Sequence, residues 1–409
     1  MTWSARVGSV TLSCLLGLAG LEAGLRAFWI RRFTVGSGIE DPHFHHRLKP
    51  RHTYHFASRE FDVHVTTNRW GLRGRDPVLP KPAGRLRILM LGDSYTFGFP
   101  VRDEETFCAL IEGELNAQGY PVEVINGGVS GYSPTLHYLS LRDQFLAFDP
   151  DLVILWYDLG DLQEDEWFQK NLLYDAEGRI VRCDPRYTNG RFDWGEWAKN
   201  HSALAKYLDL KLLRTLDKIR ILGLGGYLNV VAKGERAKVA IARLKASQHA
   251  VDLAANDRFL LVRESTDEAT LAQYWTMSAR YLRLIHELLA ERHVPFVMGI
   301  YPYGMVAGPT QWSQGRVAWG FEPGRSYDAA YALRLFERFA QQERIPLVNT
   351  FGSFSAAAKT QPLFYDWDGH FTPAGHRVVA THLLQDPVFL QLLHRRMEPS
   401  AGSVGPSTG

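Results

Sequence analysis

Short apolar runs alternate with segments of helical periodicity along residues 85–397. The apolar runs span 86–91, 122–125, 152–156, 295–300 and 345–348. Amphipathic, helix-like segments fall near 104–117, 134–148, 267–292, 327–344 and 373–384. Such alternation predicts an α/β fold, in which helices cover both faces of a mainly parallel sheet. In folds of this kind the chemistry gathers at the carboxyl ends of the strands.

The alternation lapses between about 165 and 265, which predicts a helical insertion or cap over the sheet. Residues 201–250 carry ten Lys or Arg against three Asp or Glu, with apolar residues at helical spacing between 204 and 219. A basic amphipathic helix could lie on an anionic membrane or follow an acidic polysaccharide. We favour the simpler interpretation, an ordinary cap with a solvated basic face.

Apolar residues also dominate positions 7–21. The run has the length of a signal-peptide core and, with its flanks, just enough residues to span a bilayer, so residues 1–32 are predicted as a membrane anchor or signal segment. A buried amphipathic helix is the alternative. The positive-inside rule opposes export, because three arginines follow the run and one precedes it. We nevertheless expect a membrane-anchored protein with an extracytoplasmic (periplasmic) catalytic domain, and the cytoplasmic side stays open.

Residues 33–84 form a polar, proline-containing lead-in, with an alternating stretch at 61–67 that predicts an edge strand. The cluster His43-Phe-His-His46 is interpreted as a solvated loop rather than a metal site. The last residues, 398–409, have the composition of a disordered tail. These boundaries leave 85–397 as the main domain.

Composition narrows the class of function. The chain has 409 residues and a formal net charge of +2, with the apolar and charged fractions of an ordinary globular protein. No large basic excess is present to neutralise phosphates, so nucleic acid is not an expected partner. The three cysteines, Cys14, Cys108 and Cys183, have neither metal-type spacing nor the pattern of a disulfide framework. We expect no metal and no organic cofactor.

The stretch Ile88-Leu-Met-Leu-Gly-Asp-Ser-Tyr-Thr-Phe-Gly98 carries the first candidate for chemistry. A buried strand ending at residue 91 would deliver Ser94 to the carboxyl edge of the sheet, where its backbone N–H could face an oxyanion. Serine and aspartate also cap helices well, so a helix start explains the same residues. The motif alone leaves both interpretations open.

Two more segments could complete a site. Val124-Ile-Asn-Gly-Gly-Val-Ser-Gly-Tyr-Ser133 offers the Gly128 N–H and the Asn126 amide as oxyanion donors, unless it is a plain turn. Near the carboxyl end, Tyr365-Asp-Trp-Asp-Gly-His370 places Asp368 two residues before the histidine. A bent loop would let that carboxylate orient the imidazole, which could then take the serine proton.

Together the three segments resemble the SGNH/GDSL hydrolase superfamily of esterases, lipases, deacetylases and related acyltransferases. The resemblance covers roughly residues 65–160 and 270–385, and it implies a flavodoxin-like α/β/α sandwich of three layers. The segment Thr67-Asn-Arg-Trp-Gly-Leu-Arg73 resembles bacterial SGNH-like proteins with one amino-terminal membrane segment. Proteins of that kind are often associated with modification of the cell envelope or of exopolysaccharide.

The resemblance also implies roles for single residues. Ser94 would be the nucleophile, His370 the base and Asp368 the acid that orients it. The backbone N–H groups of Ser94 and Gly128 would stabilise the oxyanion. His376, on the helix after the catalytic loop, is expected to pack rather than react.

Two positions depart from the family pattern. The family places the acid three residues before the histidine, where this chain has Trp367, so Asp368 is preferred and Asp366 is the reserve. The two-residue spacing resembles that of alginate-type O-acetyltransferases. Gly160 stands where the family has an asparagine whose amide donates to the oxyanion. Loss of such a donor costs about two to three orders of magnitude in rate.

The sequence therefore predicts a serine-dependent acyl ester hydrolase or O-acyltransferase. Its expected substrate is an acylated, above all acetylated, polysaccharide or another envelope ester, as the resemblance implies. Gly160 motivates the alternative, a catalytically impaired SGNH-like protein that binds a glycan or helps to assemble one. The expected partners are the acylated carbohydrate or small ester and, through residues 1–32, a membrane.

Overall fold

The structure is a computed structural model that describes residues 3–26, 38–208, 259–262, 266–319 and 321–397, with residues 215, 216, 219, 224 and 228. A large part of the predicted insertion and the whole predicted tail lie outside the described residues. The chain divides into two compact units. The larger comprises Leu48–Phe168 and Ala242–Gly409, and the smaller comprises Met1–Arg47 and Gln169–Ile241. Residues 48–84 of the predicted lead-in thus belong to the larger unit.

Strands and helices alternate along the described residues. In chain order the strands are β1 (Gly38–Asp41), β2 (His45–Leu48), β3 (Thr53–Ala57), β4 (Asp62–Thr66), β5 (Leu86–Leu91), β6 (Val122–Asn126), β7 (Leu152–Tyr157), β8 (Leu172–Tyr174), β9 (Ile180–Cys183), β10 (Tyr187–Thr188), β11 (Arg191–Phe192), β12 (Phe296–Ile300) and β13 (Leu347–Asn349). The α-helices are α1 (Trp3–Gly24), α2 (Ser94–Phe97), α3 (Phe107–Ala117), α4 (Pro134–Asp143), α5 (Asp161–Gln169), α6 (Trp194–His201), α7 (Ala203–Tyr207), α8 (Glu268–Ala290), α9 (Gly304–Ala307), α10 (Ala330–Glu343), α11 (Phe351–Ala357), α12 (Pro373–Gln385) and α13 (Pro387–Met397).

The larger unit is built on a five-stranded parallel sheet with the strand order β13-β12-β7-β5-β6. Counted along the chain, this is the order 2-1-3-4-5 of flavodoxin-like folds. Every residue of β5, β7 and β12 is buried, because helices cover both faces of the sheet. The predicted fold class, a three-layer α/β/α sandwich, is confirmed, and each predicted apolar run contributes one strand.

Neighbouring residues of the central strand β7 show how the two helical layers form. The ring of Trp156 packs against Phe107 of α3, at 5.5 Å between centroids. The ring of Tyr157 points the other way and packs against Phe336 of α10, at 4.8 Å. Successive side chains of a strand alternate between faces, so one strand anchors both layers. On β12, Gly299 leaves room for Trp156, since a Cβ there would lie 2.4 Å from the indole.

The longest described helix of the larger unit, α8, begins with a side-chain cap. The Asp267 carboxylate accepts a hydrogen bond of 2.8 Å from the N–H of Thr270, which satisfies one of the unpaired donors of the first turn. Helix α8 then packs along α4 in one layer, while α12 packs along α3 in the other. These layers leave the carboxyl ends of β5, β6 and β7 open to the loops that carry the candidate site.

The smaller unit has three two-stranded pairings, β1 with β2, β8 with β9 and β10 with β11, and helices α1, α6 and α7. Glu22 of α1 accepts hydrogen bonds from the backbone N–H groups of Leu204 and Ala203, each at 2.8 Å. The bond from Leu204, with those from Ala203, Ser202 and Arg26, lowers the pKa of Glu22 to about 2 against the opposing effect of burial. A carboxylate suits this place because the amino end of a helix is partly positive.

Among the residues described, no helix has both the length and the apolar content needed to cross a membrane. The predicted anchor extends past α1 into residues 27–32, which lie outside the described part of the chain. The membrane segment stays a prediction.

Candidate active site

Ser94 lies where the strand β5 turns into the helix α2. Gly92 makes the turn with a φ of 155°, and a Cβ at this position would lie 2.1 Å from the Thr96 hydroxyl. Asp93 caps the helix by accepting a 3.0 Å hydrogen bond from the N–H of Tyr95. Gly98, in the left-handed conformation, ends the helix after a single turn. Ser94 is therefore both a helix start and a half-exposed serine at the carboxyl edge of the sheet.

The structure brings Ser94, His370 and Asp368 into one line of hydrogen bonds. The Oγ atom of Ser94 lies 2.8 Å from Nε2 of His370. On the other side of the ring, Nδ1 lies 2.5 Å from Oδ1 of Asp368. The same carboxylate oxygen also accepts the backbone N–H of His370 at 3.2 Å, which makes the bent loop that the two-residue spacing requires.

The carboxyl group of Asp368 is held in its ionised form. Burial alone would raise its pKa, but the hydrogen bonds and the charge of His370 outweigh burial and keep the pKa of Asp368 below its ordinary value. An ionised acid beside Nδ1 favours the tautomer in which Nδ1 carries the proton and Nε2 is free to accept one. Nε2 faces the Ser94 hydroxyl, as a general base must.

Aromatic side chains fix the plane of the His370 ring. Tyr95 and Phe99 pack against it from two sides, with ring centroids at 4.8 and 4.9 Å. The Tyr95 hydroxyl donates a 3.0 Å hydrogen bond to the carbonyl of Gly369, which joins the helix of Ser94 to the loop of His370. Neither ring was predicted to take part in the site, although Tyr95 and Phe99 closely follow the Gly-Asp-Ser motif.

The reserve acid, Asp366, serves a different purpose. Its carboxylate accepts the N–H of Ser313 at 3.1 Å, and its carbonyl accepts the N–H groups of Gln314 and Gly315. It therefore holds a neighbouring turn and makes no hydrogen bond to His370. Of the two candidate acids, only Asp368 contacts the imidazole.

The predicted oxyanion donors Gly128 and Asn126 already donate hydrogen bonds to other groups of the protein. The N–H of Gly128 donates to Oδ1 of Asn126 at 3.0 Å. The amide nitrogen of Asn126 donates to the carbonyl of Thr96 at 2.9 Å, so this side chain ties the loop after β6 to α2. A Cβ on Gly128 would lie 2.2 Å from the backbone nitrogen of Phe97, which explains the glycine by close backbone contact.

Gly160 is likewise occupied, because its N–H donates to Oδ1 of Asp158 at 2.7 Å. Within the described part of the chain, the N–H groups of Ser94 and Gly131 donate to no acceptor. Gly131 has a φ of 75° and belongs to the loop whose Val129 N–H bonds to Gly92, directly before the nucleophile turn. The N–H of Ser94 is therefore free to meet an oxygen that develops negative charge at this residue.

Carboxylates crowd the protein interior behind Ser94. Asp93 accepts the Tyr301 hydroxyl at 2.9 Å, and Asp158 accepts that of Tyr303. Asp161, which follows Gly160, is fully buried, and burial together with Asp158 and further carboxylates raises its pKa well above the ordinary value. Burial therefore favours the protonated form of Asp161. No sequence pattern predicted this cluster of acids.

His376 packs, as expected. It is fully buried, its Nδ1 accepts the N–H of Phe107 at 3.3 Å, and burial followed by the charges of Arg73 and His370 lowers its pKa to about 3. A neutral ring at this place contributes to the contact between α3 and α12.

Two residues outside the predicted catalytic set hold the site from the lead-in segment. Arg73, whose side chain is 2 % exposed, donates to the carbonyls of Phe97, Gly98 and Val101 behind Ser94. Glu60 accepts the N–H groups of Trp367 and Asp368. Arg73 belongs to the segment Thr67–Arg73 that resembles the family, but no sequence pattern indicated its contacts. Nothing in the sequence pointed to Glu60.

Comparisons with known proteins give fold-level likenesses. No family model matches the chain, and no curated protein matches it. The structure of the acetyl xylan esterase AlAXEase is 13% identical in sequence to this chain, with a TM-score of 0.36. The alignment covers 73% of this chain and 98% of that esterase. Axe2, an acetylxylan esterase from Geobacillus stearothermophilus, is 14% identical with a TM-score of 0.35, covering 75% and 94%. A protein described as lipolytic and of the G-D-S-L family, from Desulfitobacterium hafniense, is 12% identical with a TM-score of 0.32, covering 72% and 96%.

Proposed function

We propose that this chain is a serine esterase of the SGNH/GDSL type. The observation that carries the proposal is the line of hydrogen bonds from Ser94 Oγ to His370 Nε2 and from His370 Nδ1 to Asp368. A nucleophile, a base and an orienting acid in this order can activate a serine hydroxyl in unrelated folds. The flavodoxin-like strand order and the position of Ser94 at the carboxyl end of a central strand agree with it.

The proposed reaction has two halves. Ser94 Oγ attacks the ester carbonyl while its proton passes to Nε2 of His370. The negative oxygen that forms is met by backbone N–H groups, of which that of Ser94 is available. His370 then gives the proton to the alcohol oxygen as the ester bond breaks, which leaves an acyl group on Ser94. A water molecule, deprotonated by His370, releases the acid and restores the serine.

The proposed substrate is an acetylated polysaccharide or oligosaccharide. Support comes from the resemblance of three motifs to the SGNH/GDSL superfamily, since the geometry defines the reacting groups and not the alcohol. Transfer of the acyl group to a sugar hydroxyl shares the first half of the reaction. Acetate release from an acetylated xylo-oligosaccharide, measured with and without an unacetylated acceptor, separates the two: acceptor-dependent loss of free acetate indicates transfer, and an unchanged rate indicates hydrolysis.

A second function has one specific observation in its favour. Gly160 has no side-chain amide, whereas the family has an asparagine at this position. The backbone N–H of Gly160 donates to Asp158 instead of facing a substrate. A glycan-binding protein without turnover would fit that loss. Binding of acetylated oligosaccharide by a folded protein that releases no acetate would favour it, whereas turnover that disappears in Ser94→Ala would exclude it.

The compartment of the catalytic unit remains a proposal from residues 1–32. A reporter fused after residue 40 would be active outside the cytoplasm if that segment directs export.

A further inference from the structure

One face of the hairpin β3–β4 gathers three metal-binding side chains. His55 lies directly opposite His64 in the antiparallel register, and the two rings stack 4.3 Å apart. Asp62 lies two residues before His64 on the same face, with Oδ1 2.6 Å from Nε2 of His55. One nitrogen of each ring and one carboxylate oxygen all lie within 4.8 Å of one another.

The rest of the hairpin does not require this arrangement. Val63 and Val65 are buried on the inward face, while all three polar side chains point to solvent. His55 and Asp62 are 51% and 73% exposed, so their hydrogen bond contributes little to folding. Among the described residues, no other group of three or more His, Cys, Asp or Glu comes together in this way, and the His43-Phe-His-His46 cluster does not.

We propose that His55, Asp62 and His64 bind a divalent first-row transition ion such as Zn²⁺. Two imidazole nitrogens and a carboxylate oxygen suit such ions, whereas Mg²⁺ and Ca²⁺ prefer oxygen ligands alone. Zinc bonds of about 2.0–2.2 Å to nitrogen and oxygen need only small rotations of exposed side chains. The ion would replace the His55–Asp62 hydrogen bond, and water would complete its coordination.

Such an ion would join two strands that, among the described residues, pair only with each other. An isolated two-stranded hairpin is marginally stable in water, so a bridge between its strands would stabilise it. Binding needs neutral imidazoles and an ionised carboxylate.

The test is calorimetric titration of the full chain with Zn²⁺ at pH 7.5. His55→Thr/His64→Thr removes both imidazoles and extends the neighbouring Thr53–Thr66 pair, so the hairpin keeps a favourable cross-strand contact. His286→Gln/His293→Gln removes two histidines elsewhere and is the matched control. We expect the wild type to bind one Zn²⁺ per chain. The double hairpin variant should lower the affinity for Zn²⁺ at least about 100-fold, and Asp62→Asn should lower it about 10-fold or more. The control variant should bind Zn²⁺ as tightly as the wild type. Equal binding by all four proteins, or no binding by the wild type, would overturn the site.

At the turn of the same hairpin, a second and independent set of contacts reaches the loop that carries Asp368 and His370. The Glu60 carboxylate accepts the N–H of Trp367 at 3.0 and 3.1 Å and the N–H of Asp368 at 3.0 Å. Arg59 lies with its guanidinium carbon 4.4 Å from the centre of the Trp367 ring. Phe61 packs on Phe99, which in turn packs on His370.

We infer that Glu60 is a positioning residue for Asp368, an inference that rests on the proposed function. Charge-assisted bonds from a carboxylate to two successive N–H groups fix the backbone of the loop that carries the acid. The orientation of His370 follows from that of Asp368, so loosening the loop would misplace the base. A displacement of about 1 Å at a reacting group can cost about 100-fold in rate.

The test compares Glu60→Ala and Glu60→Gln with Glu291→Ala, an exposed glutamate on the same unit whose side chain is 74% exposed. We expect Glu60→Ala to lower kcat about 10- to 100-fold with KM within about twofold, because the defect lies in orientation and not in substrate binding. Amide hydrogen exchange at Trp367 and Asp368 should rise with it. Glu60→Gln keeps one acceptor oxygen and should recover part of both losses.

Two outcomes separate the inference from the proposed function. An active wild type whose kcat and exchange at these two amides are unchanged in Glu60→Ala would overturn the role of Glu60. A folded wild type without activity would count against the proposed function alone, and the exchange measurement would still decide whether Glu60 holds the loop.

Discussion

The guanidinium of Arg73 donates a 2.6 Å hydrogen bond to the carbonyl of Gly98, the residue that ends the helix begun by Ser94. Further bonds from the same group reach Phe97, Val101 and Asp103. A buried arginine thus satisfies the carbonyl end of a one-turn helix that could not hold itself in water. The position of Ser94 therefore depends on a residue outside the sheet.

Replacing Arg73 with methionine should therefore cost both stability and activity. The carbonyls of Phe97, Gly98 and Val101 would lose a buried donor, and a buried polar group left unpaired costs about 1–3 kcal/mol. Asp103 is 45% exposed, so water can replace its lost partner. Denaturant unfolding measures the free-energy change, and acetate release measures activity. Arg69→Met, an exposed arginine of the same segment, should stay within about 0.5 kcal/mol of the wild type. Equal stability of the two variants would refute the role of Arg73.

The pair Asp368→Asn and Asp366→Asn tests which acid orients the histidine. An asparagine at 368 would present an amide to Nδ1 and favour the wrong tautomer, so kcat should fall about 10⁴-fold. Asp366→Asn should leave kcat within about threefold, because Asp366 contacts a neighbouring turn and not the imidazole. A larger loss for Asp366→Asn than for Asp368→Asn would reverse the assignment.

Asp161 should make the protein less stable as the pH rises. Burial is the main reason that the pKa of Asp161 in the folded protein is raised well above its ordinary value of 3.8. At pH values between 3.8 and the folded pKa, the native state therefore binds more protons than the unfolded state. Stability contributed by this group is present below pH 3.8 and is lost as the pH increases.

Asp161→Asn removes the titrating carboxyl group. Between pH 4 and 7, the free energy of unfolding of this variant should therefore fall less than that of the wild type. Urea unfolding of both proteins at several pH values measures the difference. Parallel pH profiles would show that Asp161 ionises in the folded protein as freely as in the unfolded chain.

Gly128→Ala should destabilise the fold by about 1–3 kcal/mol, because its Cβ would overlap the backbone of Phe97. Gly113 lies inside α3 with open space around it, so Gly113→Ala should instead raise stability by about 1 kcal/mol through helix propensity. Thermal unfolding of both variants checks the prediction. Stabilisation by both alanines would mean that the loop after β6 yields without cost.

The sheet could be predicted from the sequence because its strands are buried on both faces. The run 152–157 is continuously apolar and the run 86–91 is interrupted only by Arg87, and that pattern is local to each strand. Parallel strands have their carboxyl ends at one edge, so Ser94 and the Asp368–His370 pair could be expected to meet although 276 residues separate Ser94 from His370.

The supports of the site could not be predicted in the same way. Arg73 and Glu60 act through backbone carbonyls and N–H groups of distant segments, and no local periodicity records such contacts. Asn126 illustrates a different limit. Its side chain bonds to Gly128 and Thr96, and sequence cannot distinguish an amide that ties a loop from one that faces a ligand.

The activated serine is the central claim, and covalent labelling by a fluorophosphonate probe tests it most directly. The wild type should be labelled at Ser94, as peptide mass spectrometry would show. Ser94→Ala should not be labelled, and His370→Ala should be labelled at least about 100-fold more slowly because the base is gone. A folded wild type that resists the probe, or labelling that persists in Ser94→Ala, would contradict the account.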